Sequence, residues 1–133
     1  MVSGLEGLNS ELPVMGIGVR QNREKQIDAV WKLVRKTAEK LKIREISREK
    51  ILVDDRYIGK GHAIPTDGTI EAITLLAQTE GILLDPVYSG KGMAGLIDMV
   101  RNGDFSQGEK ILFLHTGGSA ALFAYEQELI EYS

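Results

Sequence analysis

Cysteine is missing from all 133 residues. Disulfides, thiolate metal sites and a thiol nucleophile are therefore excluded, and nothing points to an oxidising compartment, so cytoplasm is the expected location. An excess of one charge is missing too. The 16 Lys and Arg stand against 19 Asp and Glu, a net of -3, with no long run of either sign. This speaks against a nucleic-acid surface or a polybasic membrane patch. Residues 1–12 have neither a basic n-region nor a continuous apolar stretch, so they read as neither signal peptide nor membrane anchor. The two histidines, His62 and His115, form no zinc pattern, and no metal site is expected. GxxxxGK[ST], HExxH, internal repeats and low-complexity segments are all absent. Gly16-Ile17-Gly18 imitates the start of a dinucleotide fingerprint, but Gln21 stands where its third glycine belongs and the glycines lie inside a strand-like run.

What remains is a chain 43% hydrophobic and 26% charged, with its apolar residues spread throughout. That composition describes one ordinary soluble domain at most. Its 15 glycines gather where apolar runs give way to helical patterns. Residues 14–19 read as a short buried strand, and residues 51–53 as another. Between them Ile27, Val30, Trp31, Val34, Ala38 and Leu41 recur at three- and four-residue steps, which predicts a helix over Arg23–Leu41. Asp54-Asp55 reads as a solvated strand end, since no third ligand follows at metal spacing. Residues 57–68 form a glycine loop. A helix is predicted over 69–79, capped by Asp67 or Thr69 and stopped by Gly81. Residues 82–84 read as a strand leading through Asp85-Pro86-Val87-Tyr88-Ser89-Gly90 into a helix that Asn102-Gly103 ends. Residues 110–114 read as the clearest strand, running into His115-Thr116-Gly117-Gly118-Ser119. The alternation predicts an α/β fold, a parallel sheet with crossover helices, as a single domain or half-domain over residues 1–133.

In such sheets ligands sit beyond the carboxyl ends of the strands. Residues 85–91 and 115–119 occupy such positions and place hydroxyls beside glycine-exposed backbone, so both could face one ligand. Each also has a plain reading: Thr-Gly-Gly-Ser suits a turn and a helix cap, and a tyrosine after a strand is commonly a packing residue. His115 reads as a hydrogen-bonded structural histidine, and His62 as a loop residue without a nearby carboxylate.

The two segments, 80–91 (Glu-Gly-Ile-Leu-Leu-Asp-Pro-Val-Tyr-Ser-Gly-Lys) and 114–118 (Leu-His-Thr-Gly-Gly), resemble the 1-aminocyclopropane-1-carboxylate deaminases and D-cysteine desulfhydrases. Residues 59–65, Glu71-Ala72, residues 93–97 and residues 121–125 follow the same family's C-terminal pattern, so the resemblance spans nearly the whole chain. It implies a pyridoxal-phosphate enzyme of fold type II, with this chain as the C-terminal part of the large domain. It also implies that Tyr88 is the active-site tyrosine, near substrate and cofactor, and that Ser89, Thr116 and Gly117 lie along the cofactor ring. At position 89 the family's deaminases carry a carboxylate and at position 116 an aliphatic residue, whereas its desulfhydrases carry small hydroxyl residues at both. This chain sides with the desulfhydrases. His62 stands where the family often has a second tyrosine, as a candidate substrate contact. The Schiff-base lysine and the phosphate-binding loop fall in the part of the family pattern that precedes Met1, and Lys91 does not correspond to that lysine.

The leading expectation is thus a C-terminal segment of a D-cysteine desulfhydrase-like enzyme, which in complete form converts D-cysteine to pyruvate, ammonia and sulfide. Alone, the chain is expected to be inactive and to bind pyridoxal phosphate poorly. A deaminase of the cyclopropane amino acid is the runner-up within enzymes, and a non-catalytic, self-associating α/β module is the alternative outside them. A small amino acid is the expected substrate. Exposed sheet surface predicts a homo-oligomer or association with the N-terminal part of the family pattern.

Overall fold

The computed structural model describes residues 1–131, which fall into two compact units, Met1–Asp55 and the remainder from Arg56. In the first, α1 (Val2–Gly7) precedes strand β1 (Met15–Ile17), helix α2 (Arg23–Leu41), a 3₁₀ turn at Arg48–Lys50 and strand β2 (Leu52–Asp54). β1 and β2 pair in parallel, Met15 opposite Leu52 and Ile17 opposite Asp54, and the Gly18 N–H extends the ladder to the Asp54 carbonyl at 2.7 Å. Parallel neighbours need a crossover, and α2 supplies it.

The bounds of α2 match its periodicity because both ends are chemically marked. Asn22 accepts the Lys25 N–H at 3.1 Å as N-cap, and Lys42 closes the helix in the left-handed conformation. Asp55 accepts the Arg23 N–H at 2.7 Å, so one of the paired carboxylates serves the positive end of α2 rather than standing free. Among the described residues no His, Cys, Asp or Glu group is placed to hold a metal. Ile27, Val34 and Ala38 of α2 bury against Ile46, Ile51 and Val53, and the Trp31 indole N–H reaches the Ile46 carbonyl at 3.3 Å. The buried Glu6 carboxylate is matched by Lys50 at 2.7 Å and by Arg44.

The second unit contains helices α3 (Asp67–Glu80) and α4 (Ser89–Arg101), a 3₁₀ stretch at Ser119–Tyr125 and the short α5 (Glu126–Glu131). α3 starts two residues earlier than expected, and its cap is Thr66, not Asp67 or Thr69. The Thr66 hydroxyl accepts the Thr69 N–H while the Thr69 hydroxyl accepts the Thr66 N–H, each at 3.2 Å. Thr69 is therefore the inner member of a reciprocal box. Gly81 ends α3 as predicted, at φ 67°. Ala72 and Ile73 of α3, Met93 and Ala94 of α4, and Leu84 form the core, with Leu76, Leu96, Ile97 and Phe113 against it.

Residues 82–84 and 110–114 are not strands here. A strand exists only by pairing, and among the described residues neither run joins a ladder. Leu84 is nonetheless fully buried, whereas Leu112 is 90% exposed. The α/β class and the parallel arrangement hold, carried by β1, α2 and β2. No helix among the described residues is long and apolar enough to cross a membrane.

Candidate functional site

Asp85 organises the start of α4. Its carboxylate is buried and accepts the backbone N–H groups of Val87, Tyr88 and Ser89 and the Ser89 hydroxyl, at 2.6–2.8 Å. Burial is the largest influence on its pKa and acts upward, but the Ser89 hydroxyl and the three N–H groups together hold the carboxyl below its ordinary value. The sequence signal for this was present as an Asp-Pro turn with a serine four residues on, just ahead of a helical pattern. Sequence alone marks Tyr88 and Ser89 as candidates here, but not Asp85.

The same bonds define what Ser89 can do. Its hydroxyl proton goes to Asp85 Oδ1 at 2.6 Å, and its oxygen accepts the Asp85 N–H at 2.8 Å. A serine has one donor and two acceptor positions, so this buried hydroxyl retains only an acceptor lone pair. Position 89 is neutral and held rigidly. Tyr88, next to it, is 53% exposed, because Asp85 fixes its backbone and leaves its ring outside α4. The His62 ring meets it edge-on, with centroids 5.6 Å apart and planes at 61°. Two residues proposed from separate segments are thus in contact.

The segment 115–118 reaches the same place. His115 Nε2 lies 3.0 Å from the Leu83 carbonyl, and the Gly117 N–H points to Nδ1 at 3.0 Å. A carbonyl can only accept and an N–H can only donate, so the two bonds together assign the neutral Nε2–H tautomer. His115 is the structural histidine the sequence suggested. At Gly118, φ is 95° and an added Cβ would lie 2.8 Å from Asp85 Oδ1, so this turn presses on the Asp85 network with room for glycine alone. Thr116 and Gly117 are exposed beside it, and a Cβ at Gly117 would meet nothing within 4 Å. No contact of the Thr116 hydroxyl with Tyr88 or Ser89 is present among the described bonds.

These residues suit the ring side of pyridoxal phosphate: an exposed aromatic face, a hydroxyl and open glycine backbone, without a free carboxylate, since Asp85 is committed to four donors. Ser89, Thr116 and Gly117 are the residues expected on that side, with Tyr88 beside them. Lys91 is not available as a nucleophile. Its side chain is fully buried and its ammonium is engaged by two backbone carbonyls. A separate cleft of about 320 Å³ is lined by Tyr57, Glu71, Asp98 and Arg101. Its charges are spent on one another, with Tyr57 donating to Asp98 at 2.6 Å and Arg101 to Glu71 at 2.6 Å, and no candidate residue lines it.

Comparison with known proteins leads to the same chemistry. The pattern of the family described as "Pyridoxal-phosphate dependent enzyme" matches residues 1–117. A 1-aminocyclopropane-1-carboxylate deaminase of Pseudomonas syringae pv. syringae is 47% identical over 113 residues, covering 84% of this chain and 33% of that protein. One of Burkholderia vietnamiensis is 44% identical over 115 residues, covering 86% and 34%. A solved structure described as an ACC deaminase homologue superposes with a TM-score of 0.87 at 34% identity, over 98% of this chain and 39% of that one. The chain spans about a third of the length of the curated relatives it matches. With its parallel βαβ unit, its glycine-backed loops and this likeness, the chain belongs to the pyridoxal-phosphate dependent enzymes.

Proposed function

We propose that this chain forms the substrate-side wall of a D-cysteine desulfhydrase-type lyase, which in complete form takes D-cysteine and water to pyruvate, ammonia and sulfide. The observation that carries the reading is the neutral position 89, a serine whose hydroxyl is locked to Asp85, together with a hydroxyl at Thr116. The resemblance puts a carboxylate and an aliphatic residue at these positions in the deaminases. Pyridoxal phosphate, when bound, supplies the electron sink for the pair released at the substrate Cα. A carboxylate at the ring nitrogen would strengthen that sink, as opening an unactivated cyclopropane demands, whereas expulsion of a thiolate needs less. Tyr88 offers a phenol that can give or take a proton at its Oη, and the His62 ring meets its ring edge-on. His62 is proposed to face the substrate.

The second reading, deamination of 1-aminocyclopropane-1-carboxylate, is favoured by the relatives that carry that name at 44–47% identity. Initial rates of the complete enzyme with both substrates separate the two. The proposal expects sulfide from D-cysteine and at most a trace of ammonia from the cyclopropane amino acid, and the reverse preference would overturn it.

Alone, the chain is proposed to be inactive, consistent with the engaged Lys91. Absorbance titration of the 133-residue chain with pyridoxal phosphate should give no stoichiometric visible band. Leu112, at 90% exposure, and Phe123, at 81%, support self-association or pairing with the rest of a family chain. Sedimentation as a compact monomer would count against it. The missing cysteines and mixed charge support a cytoplasmic location.

A further inference from the structure

Lys91 lies in the first turn of α4 with none of its surface exposed, a rare place for a lysine unless its ammonium is matched. The match comes from the glycine loop. Nζ donates to the Ile58 carbonyl at 2.6 Å and to the Gly61 carbonyl at 2.8 Å. These carbonyls bracket Gly59-Lys60, where the chain turns with Gly59 at φ 69°, and the residue after Gly61 is His62. At the other end, Tyr88 is the residue that opens α4, three positions before Lys91 and so within one helical turn of it. A single helix start therefore presents the Tyr88 ring outward and the Lys91 ammonium inward, and the ammonium fixes the loop whose next residue is the edge partner of that ring.

We propose that Lys91 is the positioning residue that holds His62 against Tyr88. The inference rests on the reading of these two residues as the substrate-facing pair. Bonds from an ammonium to carbonyl dipoles are charge-assisted and short, so they fix the loop more firmly than neutral ones. A second tether acts on the far side of His62, where the Tyr125 hydroxyl donates to the Ala63 carbonyl at 2.9 Å. It is a single neutral bond, so its loss should loosen the ring pair less.

The test uses NMR on the 133-residue chain without cofactor or substrate. In the wild type, the Lys91 ammonium protons should be protected from exchange relative to those of the exposed Lys60, and the His62 and Tyr88 rings should show cross-relaxation. Lys91→Met should abolish the ring-to-ring signal and return the His62 ring shifts toward those of an unstructured peptide, while the core methyl signals of Ile73 and Leu84 persist. Lys60→Met, the same charge change in the same loop, should leave the signal intact, and Tyr125→Phe should reduce it without abolishing it. A folded Lys91→Met that keeps the signal, or a Lys91 ammonium that exchanges as fast as Lys60, overturns the proposal. If Lys91→Met does not fold, Lys91→Gln is judged by the same signals, and failure of both to fold overturns the local role in favour of a fold-wide one. Because no substrate is present, failure of the D-cysteine assay and failure of this tether are separate results.

Discussion

In Met1–Asp55 two short apolar runs pair as a parallel ladder closed by α2. From Arg56 onward the apolar runs 82–84 and 110–114 join no ladder among the described residues, and α3 against α4 makes the core. The first unit has backbone pairing over a helix face, beside side-chain bonds such as Asp55 to the Arg23 N–H and Trp31 to the Ile46 carbonyl. The second holds its loops by side chains reaching backbone: Asp85 to three N–H groups, Lys91 to two carbonyls, His115 to Leu83 and Tyr125 to Ala63. The difference teaches where a site can be built. Ladders make a rigid floor, whereas loops fixed by individual polar side chains can present exposed residues such as Tyr88, His62 and Thr116 in a set geometry.

The contrast can be broken most directly at Asp85. Asp85→Ala leaves four donors at the start of α4 without their acceptor, and the expected cost is about 4 kcal/mol. Hydrogen exchange should show α4 and α3 amides opening far more than those of α2. The sign with pH follows from the depressed carboxyl pKa. The unfolded chain binds the proton first as pH falls, so the stabilisation is full above the ordinary value of about 3.9 and is lost as pH drops through the lowered one. Asp85→Asn should flatten that part of the acid stability profile measured by urea titration.

A middle-sized effect sharpens the comparison. Leu84 and Ile46 are both at most 1% exposed, one within an unladdered run and the other packed in the core beside the ladder. Truncation of either to Ala should cost about 3 kcal/mol, from lost burial and the cavity left behind. Equal losses in urea midpoint would show that residues 82–84 are anchored as firmly by packing as a strand would be, and a much smaller loss at Leu84 would show that the second unit is loose. The smallest effect belongs to the cap. Thr66→Ala removes one half of the reciprocal box and should cost about 1 kcal/mol, read as faster exchange in the first turn of α3.

Much of the fold was legible because helices are local. The bounds of α2 follow from its apolar stripe, and the end of α3 follows from Gly81. The strands at 82–84 and 110–114 were misread because apolar continuity reports burial or partner demand, not a partner. For the site, sequence pointed to Tyr88, Ser89, Thr116, Gly117 and His62, and the structure places His62 against Tyr88 and the 115–118 turn against Asp85. What it did not reveal was the support beneath them. In the sequence Asp85 reads only as part of the lead into α4, and Lys91 only as a residue of the 80–91 motif, and composition rules give no reason to place either charge inside. Only three-dimensional proximity supplies the donors and carbonyls that make their burial tolerable.

The central claim, that positions 89 and 116 turn this wall toward thiol elimination, is tested by one measurement on the complete enzyme. Ser89→Glu combined with Thr116→Leu is compared with wild type for the ratio of initial rates on D-cysteine and on 1-aminocyclopropane-1-carboxylate. The account predicts that D-cysteine turnover falls while cyclopropane deamination rises, moving the ratio by at least about tenfold, or roughly 1.4 kcal/mol of transition-state discrimination. An unchanged ratio in a folded, cofactor-loaded double variant would contradict it.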